Sequence, residues 1–142
     1  MKKQLYINSL ILIFPIIIFS QNREEKSIRN LLAQQTAAWN KGDLTQFMHG
    51  YWQSDSLMFI GNSGITYGWQ NTLNNYKKNY SDTALMGKLK FDLLEFKKLS
   101  EQNYFVIGTW QLTRSLGNLK GLFSLLFRKI KNNWVIIADH SS

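Results

Sequence analysis

Residues 103–142 read NYFVIGTWQLTRSLGNLKGLFSLLFRKIKNNWVIIADHSS, three apolar, β-branched and aromatic runs parted by short polar breaks. The first run, 104–116, stops at Gly117-Asn118; the second, 119–130, stops at Lys131-Asn132-Asn133; the third covers 134–140. Runs of this composition separated by two or three turn residues predict a three-stranded antiparallel meander. A sheet this apolar has to be covered, so the upstream residues are read for helices.

Just before the meander, 88–99 reads as a fourth long strand with a change of phase: Leu89, Phe91 and Leu93 alternate, then Leu94 and Phe96 continue on the other parity. A bulge near Leu93-Leu94 would restore one continuous buried face. Gly108, inside the next strand, is a second place where the sheet could bend. Further back, Asn22 with Glu25 forms a capping-box pattern, and Ile28, Leu31, Leu32, Gln35 and Trp39 recur at helical spacing. Gly42 ends that helix, and Asp43 with Gln46 caps a short second one carrying Leu44, Phe47 and Met48. A short strand over 56–60, the turn Gly61-Asn62-Ser63-Gly64 and a return over 65–67 form a hairpin. Trp69, Leu73, Tyr76 and Tyr80 then mark one side of a third amphipathic helix that ends near Ser81-Asp82. The expected fold is α+β: a strongly bent sheet of about six strands with three helices on its concave face.

The chain opens Met1-Lys2-Lys3, runs through the apolar segment 10–19, and reaches the small residue Ser20 before any acidic residue, which is the layout of a secretory leader. That run is short of the ~20 residues of a membrane span. The expected organisation is a leader over 1–20, cleavage after Ser20, and one domain over 21–142, exported to a periplasmic or extracellular space with no stable membrane insertion afterwards. There is no cysteine, so packing alone must hold the domain; 44% hydrophobic and 14% aromatic residues supply the material. Of the net charge of +8, Lys2 and Lys3 supply two, and the other basic residues alternate with apolar ones along strand edges. A solvated edge, not a nucleic-acid surface, is the expectation.

The order of elements and several short stretches carry a family likeness. They are Ala38-Trp39-Asn40 with Gly42-Asp43-Leu44, Tyr51-Trp52 with Ser54-Asp55-Ser56, Gly64 with Tyr67-Gly68-Trp69, and the closing residues 134–142. In these the chain resembles the nuclear transport factor 2-like (NTF2-like) superfamily of cone-shaped α+β domains, and within it the SnoaL-like, DUF4440 branch. The resemblance implies a pocket between helices and concave sheet, and frequent dimerisation through the sheet's other face. It implies no single activity, because the superfamily holds isomerases, dehydratases, cyclases and domains without known chemistry. Ketosteroid isomerase-like members use an Asp base on the first strand. Asp55 matches an acidic residue at the strand entry, whereas the base position falls on Ile60, which accepts no proton.

Two residues are candidates for proton transfer. Asp55 either accepts backbone hydrogen bonds in a turn or acts as an acid or base, and His140 is either a satisfied strand-end histidine or a base. His140 shares the parity of Trp134, Ile136 and Ala138, and Asp139 that of Val135 and Ile137, so only one of the two faces the pocket. Tyr51, Tyr67 and Trp110 are expected to line a ligand site as aromatic walls with polar tips, and Arg114 is a candidate anchor for an anionic group. Two histidines and no cysteine give no metal-ligand pattern, and no cofactor is implied. The expected function is binding of a small apolar or aromatic molecule with a polar group; the alternative is a lyase, isomerase or cyclase using Asp55 or His140. Long strands apolar on both parities, with helices for only one face, predict a homodimer built on the other.

Overall fold

The computed structural model describes residues 16–142, with side chains from residue 23 onward. The leader expected over 1–20 therefore falls outside the described residues for most of its length, and the cleavage point after Ser20 lies where the backbone alone is described. Among the described residues no helix is long and apolar enough to cross a membrane.

Helix α1 spans Ile16–Asn40. It runs straight through Asn22, so the expected cap there is not used, and the Glu25 carboxylate pairs instead with Arg29 one turn on, at 2.7 Å. Ile28, Leu32, Gln35 and Trp39 are buried along one stripe, as their spacing requires. The helix ends where expected: Gly42 sits at φ +81°, Asp43 N–H reaches the Ala38 carbonyl and Gly42 N–H the Trp39 carbonyl. This paired closure satisfies two end carbonyls and needs a left-handed residue. Asp43 Oδ1 then accepts from Gln46 N–H and starts α2, Leu44–Phe47, which runs into a 3-10 turn at Met48–Gly50.

Strand β1, Met58–Gly61, begins later than the sequence indicates, because Ser54 turns the chain first: its Oγ accepts from Ser56 N–H and its carbonyl from Leu57 N–H. It pairs antiparallel with β2, Gly64–Tyr67. Helix α3, Trp69–Asn79, is followed by a one-turn helix α4, Thr83–Met86, absent from the sequence reading and capped by Asp82 Oδ1 on Leu85 N–H at 2.8 Å. Strands β3 (Lys88–Ser100), β4 (Asn103–Thr113), β5 (Leu119–Ile130) and β6 (Asn133–Ser141) form the long meander. The β5–β6 connection is tight, with Lys131 and Asn132 both at positive φ. The sheet order is β2-β1-β6-β5-β4-β3, with β1 parallel to β6 and every other pair antiparallel.

Of three register shifts, one lies at Leu99 beside the β3–β4 turn, and the other two set the phase of the sheet. In β3, Leu93 pairs with Gly108 and Glu95 with Ile107, leaving Leu94 as the extra residue where the sequence placed a bulge. Leu94 itself is exposed, and the inner face resumes at Phe96. In β6, Ile136 pairs with Phe127 and Ala138 with Leu126, so Ile137 is unpaired. Gly108 lies opposite the first bulge: a Cβ there would collide with the Phe123 ring and stand 2.7 Å from the Asp92 carbonyl oxygen. The helices lie on one face of the sheet and pack on Tyr104, Val106, Phe127 and Ile136. Trp39 meets Phe47, Tyr76 and Tyr80 edge-on at 4.9–5.9 Å between centroids. Each such pair contributes about 0.5–1.5 kcal/mol beyond area burial.

Candidate functional site

Between the helices and the inner face of the sheet lies a cavity of about 190 Å³. A single water needs roughly 10–15 Å³ by the same measure, so this is more than an imperfection of packing. Its floor comes from inward residues of β3, β4 and β5, namely Phe91, Trp110, Phe123 and Leu125. Its roof is α3 through Thr72 and Tyr76, together with Trp39 of α1 and Phe47 of α2. Exposed Ser63, Asn75 and Asn79 border the opening, and Asn75 Nδ2 ties α3 to β2 by donating to Thr66 Oγ1 at 3.1 Å.

Asp139 is the carboxylate of this cavity, only 3% exposed. The bulge at Ile137 puts it there. Trp134 and Ile136 face the helices, and unbroken alternation would carry Ala138 and His140 inward after them. The extra residue reverses the parity, so Asp139 and Ser141 turn inward and His140 turns out. Asp139 pairs in register with Phe59 of β1 and Leu125 of β5, both cavity residues.

Two hydroxyls hold the carboxylate. Tyr51 Oη donates to Oδ2 at 2.7 Å, and Ser141 Oγ donates to Oδ1 at 2.7 Å. Burial pushes the Asp139 pKa up to about 6 from 3.8; these two bonds, and more weakly His140, pull the other way without cancelling it. Burial, with the Asp139 charge added to it, also raises the Tyr51 and Tyr76 phenols well above their ordinary value, so both stay protonated donors. Across the cavity Trp110 Nε1 is enclosed and has no acceptor. Gln35 Nε2 is occupied by the Phe47 carbonyl at 3.0 Å.

Of the six residues singled out from the sequence, the structure brings Tyr51 and Trp110 together in the cavity. His140 is exposed on the sheet's outer face, opposite Ser124, for the reason just given. Asp55 is exposed in the turn before β1 and does not border the cavity either, so neither candidate for proton transfer reaches it. Tyr67 pairs with Met58 and shares the outer face with Ile65; at 56% exposure it is no cavity wall, and its neighbour Thr66 points inward instead. Arg114 serves the backbone: Nε donates to the Gly117 carbonyl at 2.8 Å and Nη1 to the Leu85 carbonyl at 3.2 Å, tying the β4–β5 turn to α4. It borders a second pocket, of about 210 Å³, with Thr83 and Lys88, which meets the cavity only at Trp39.

Tyr76 was legible as an apolar helix position but not as a site residue, and Asp139 was legible as one of two alternatives. The β6 bulge that selects it leaves no mark in the run Val135-Ile136-Ile137-Ala138.

No family profile matches the chain, and no curated protein does. Solved structures do. A protein from Shewanella oneidensis MR-1 described as NTF-2 like and of unknown function is 46% identical, with 84% of this chain and 98% of that one covered, at a TM-score of 0.81. An NTF2-like protein of unknown function from Pseudomonas putida KT2440 is 13% identical over 85% of this chain and 87% of that one, at a TM-score of 0.70. A ketosteroid isomerase-like protein from Erwinia carotovora atroseptica SCRI1043 is 16% identical over 85% and 96%, at 0.66. At those identities the last two share the fold alone.

Proposed function

The chain belongs to the NTF2-like proteins, and on that scaffold we propose that it binds a small, largely apolar or aromatic molecule through one polar group. One observation carries the reading: a 190 Å³ aromatic-lined cavity has a single buried carboxylate, Asp139, at its wall. Ligand sites are mostly apolar with a few placed polar groups, and this cavity has that composition. Asp139 and Tyr51 orient the polar group while Phe91, Trp110 and Phe123 enclose the remainder. Native mass spectrometry of the purified protein tests it. A co-purifying small molecule should be present in the wild type and absent from Thr66→Phe, which blocks the opening from an edge strand; retention of the molecule in that variant rejects the cavity as the site.

A second reading, proton transfer of the isomerase or lyase kind, has one specific observation in its favour. A carboxylate poised near pH 6 in an apolar cavity, beside phenols that remain protonated, is equipped to accept a proton while a phenol donates to the developing oxyanion. Asp139 takes the place that Asp55 and His140 do not fill. Turnover of a carbonyl substrate with an inflection near pH 6, lost in Asp139→Asn, distinguishes catalysis from binding.

We further propose export, on the basic start, apolar run and Ser20, and a homodimer through the sheet face that no helix covers. On that face Leu94, Leu122, Ile65 and Tyr67 are all more than half exposed.

A further inference from the structure

We propose that the ligand of this cavity is a small organic cation, an amine or ammonium group on an apolar body; the inference rests on the binding reading above and narrows its class. The first ground is charge. Among the described residues lining the cavity, Asp139 is the only carboxylate, and no lysine, arginine or histidine joins it. Both of its hydrogen bonds come from neutral hydroxyls, so the buried charge has directional partners and no counter-ion. Buried carboxylates are ordinarily paired with a cation, and this one lacks its own.

The second ground is the arrangement of rings around that charge. Phe59 is the register partner of Asp139, and Tyr51 is its hydrogen-bond donor. Tyr76 closes on Phe59 at 5.7 Å, Phe47 on Tyr76 at 5.3 Å, and Tyr51 on Phe47 at 6.0 Å between centroids. Four rings thus form a continuous wall about one carboxylate. Aromatic faces attract cations by their quadrupole, most strongly where water is excluded, and an aromatic wall with an acid inside it suits a positive group better than a neutral one.

The alternatives meet specific obstacles. An anion would face Asp139 with no compensating cation in the cavity. A neutral alcohol could donate to Asp139 but would leave its charge unbalanced. The chain's net charge of +8 opposes a cation little, because exposed charges more than roughly 8 Å away are largely screened at physiological salt, whereas the buried carboxylate is poorly screened. The residues bordering the opening, Ser63, Asn75 and Asn79, are uncharged.

The test compares 2-phenylethylamine with its neutral isostere 2-phenylethanol by calorimetry at pH 7.5, on wild type, Asp139→Asn, Tyr76→Leu and Thr66→Phe. The amine should bind at least about ten-fold more tightly than the alcohol. That ratio should fall to about two-fold or less in Asp139→Asn, and Tyr76→Leu should weaken the amine more than the alcohol. Should Asp139→Asn fail to fold, the Tyr76→Leu comparison decides alone. Equal or tighter binding of the alcohol, or a preference that survives both substitutions, overturns the cation assignment; if that alcohol binding is lost in Thr66→Phe, the cavity reading stands without it. Binding of neither probe overturns the assignment together with the cavity reading.

Discussion

The Tyr51 hydroxyl donates to Asp139 Oδ2 at 2.7 Å, joining the turn after the short second helix to the last strand across 88 residues of sequence. That bond fixes which way the cavity's carboxylate points, because Ser141, its other donor, is only two residues away on the same strand. Tyr51 is thereby both a wall of the site and the long-range clamp on its charged group.

Tyr51→Phe removes the clamp and leaves the ring. Losing a buried hydrogen bond to a charged group costs about 1–3 kcal/mol, so denaturant unfolding should show a loss in that range. The bond also lowers the Asp139 pKa, so a carboxyl titration followed by NMR should move further upward in the variant.

Asp139 makes stability depend on pH in a defined direction. Its folded pKa, about 6, lies above the ordinary 3.8, so its favourable contribution is fully present below 3.8 and is lost as pH rises through 6. Relative to Asp139→Asn, the wild type should gain up to about 3 kcal/mol between pH 8 and pH 4. Paired denaturation curves at the two pH values measure the gain; a difference that stays flat, or grows with pH, contradicts the placement of a buried ionisable acid.

The uncovered sheet face should join two copies. Ile107, in the middle of β4 and on that face opposite Ser124, is a point where a charge would sit at the centre of the contact. Sedimentation should give a dimer for the wild type at micromolar concentration and a folded monomer for Ile107→Lys. A monomeric wild type would leave the apolar residues of that face without the partner proposed for them.

Export makes a separate prediction. Intact-mass measurement of the protein recovered outside the cytoplasm should give a chain beginning at Gln21. Recovery of a chain still starting at Met1 would replace cleavage by an uncleaved anchor.

What the sequence made legible follows physical rules about where information is written. The long strands were readable because apolar runs and turn residues mark them directly, and the β3 bulge because Leu93-Leu94 breaks an otherwise regular alternation. The β6 bulge was not, because Val135, Ile136, Ile137 and Ala138 are all apolar and a phase change among them alters no pattern. The choice between His140 and Asp139 for the inner face stayed open for that reason. Tyr67 was misplaced for a related reason: in a four-residue edge strand, alternation is too short to say which parity meets the core. Arg114 has no sequence mark of its role either, since its partners are backbone carbonyls and any residue could supply those.

The unpaired Ile137 has a consequence for how this scaffold can diversify. Most changes of site chemistry need a substitution at the reacting position, but here the choice between an acid and an imidazole is set by whether the residue upstream is taken up in a bulge. A chain lacking Ile137 would simply lose the bulge and keep the carboxylate facing the chamber, whereas a strand that kept Ile137 and paired it would exchange the two side chains, turning the carboxylate to the outside and offering the ring nitrogen to the same chamber. A change of local pairing is thus a route between two proton chemistries that leaves the composition of the site's neighbours untouched.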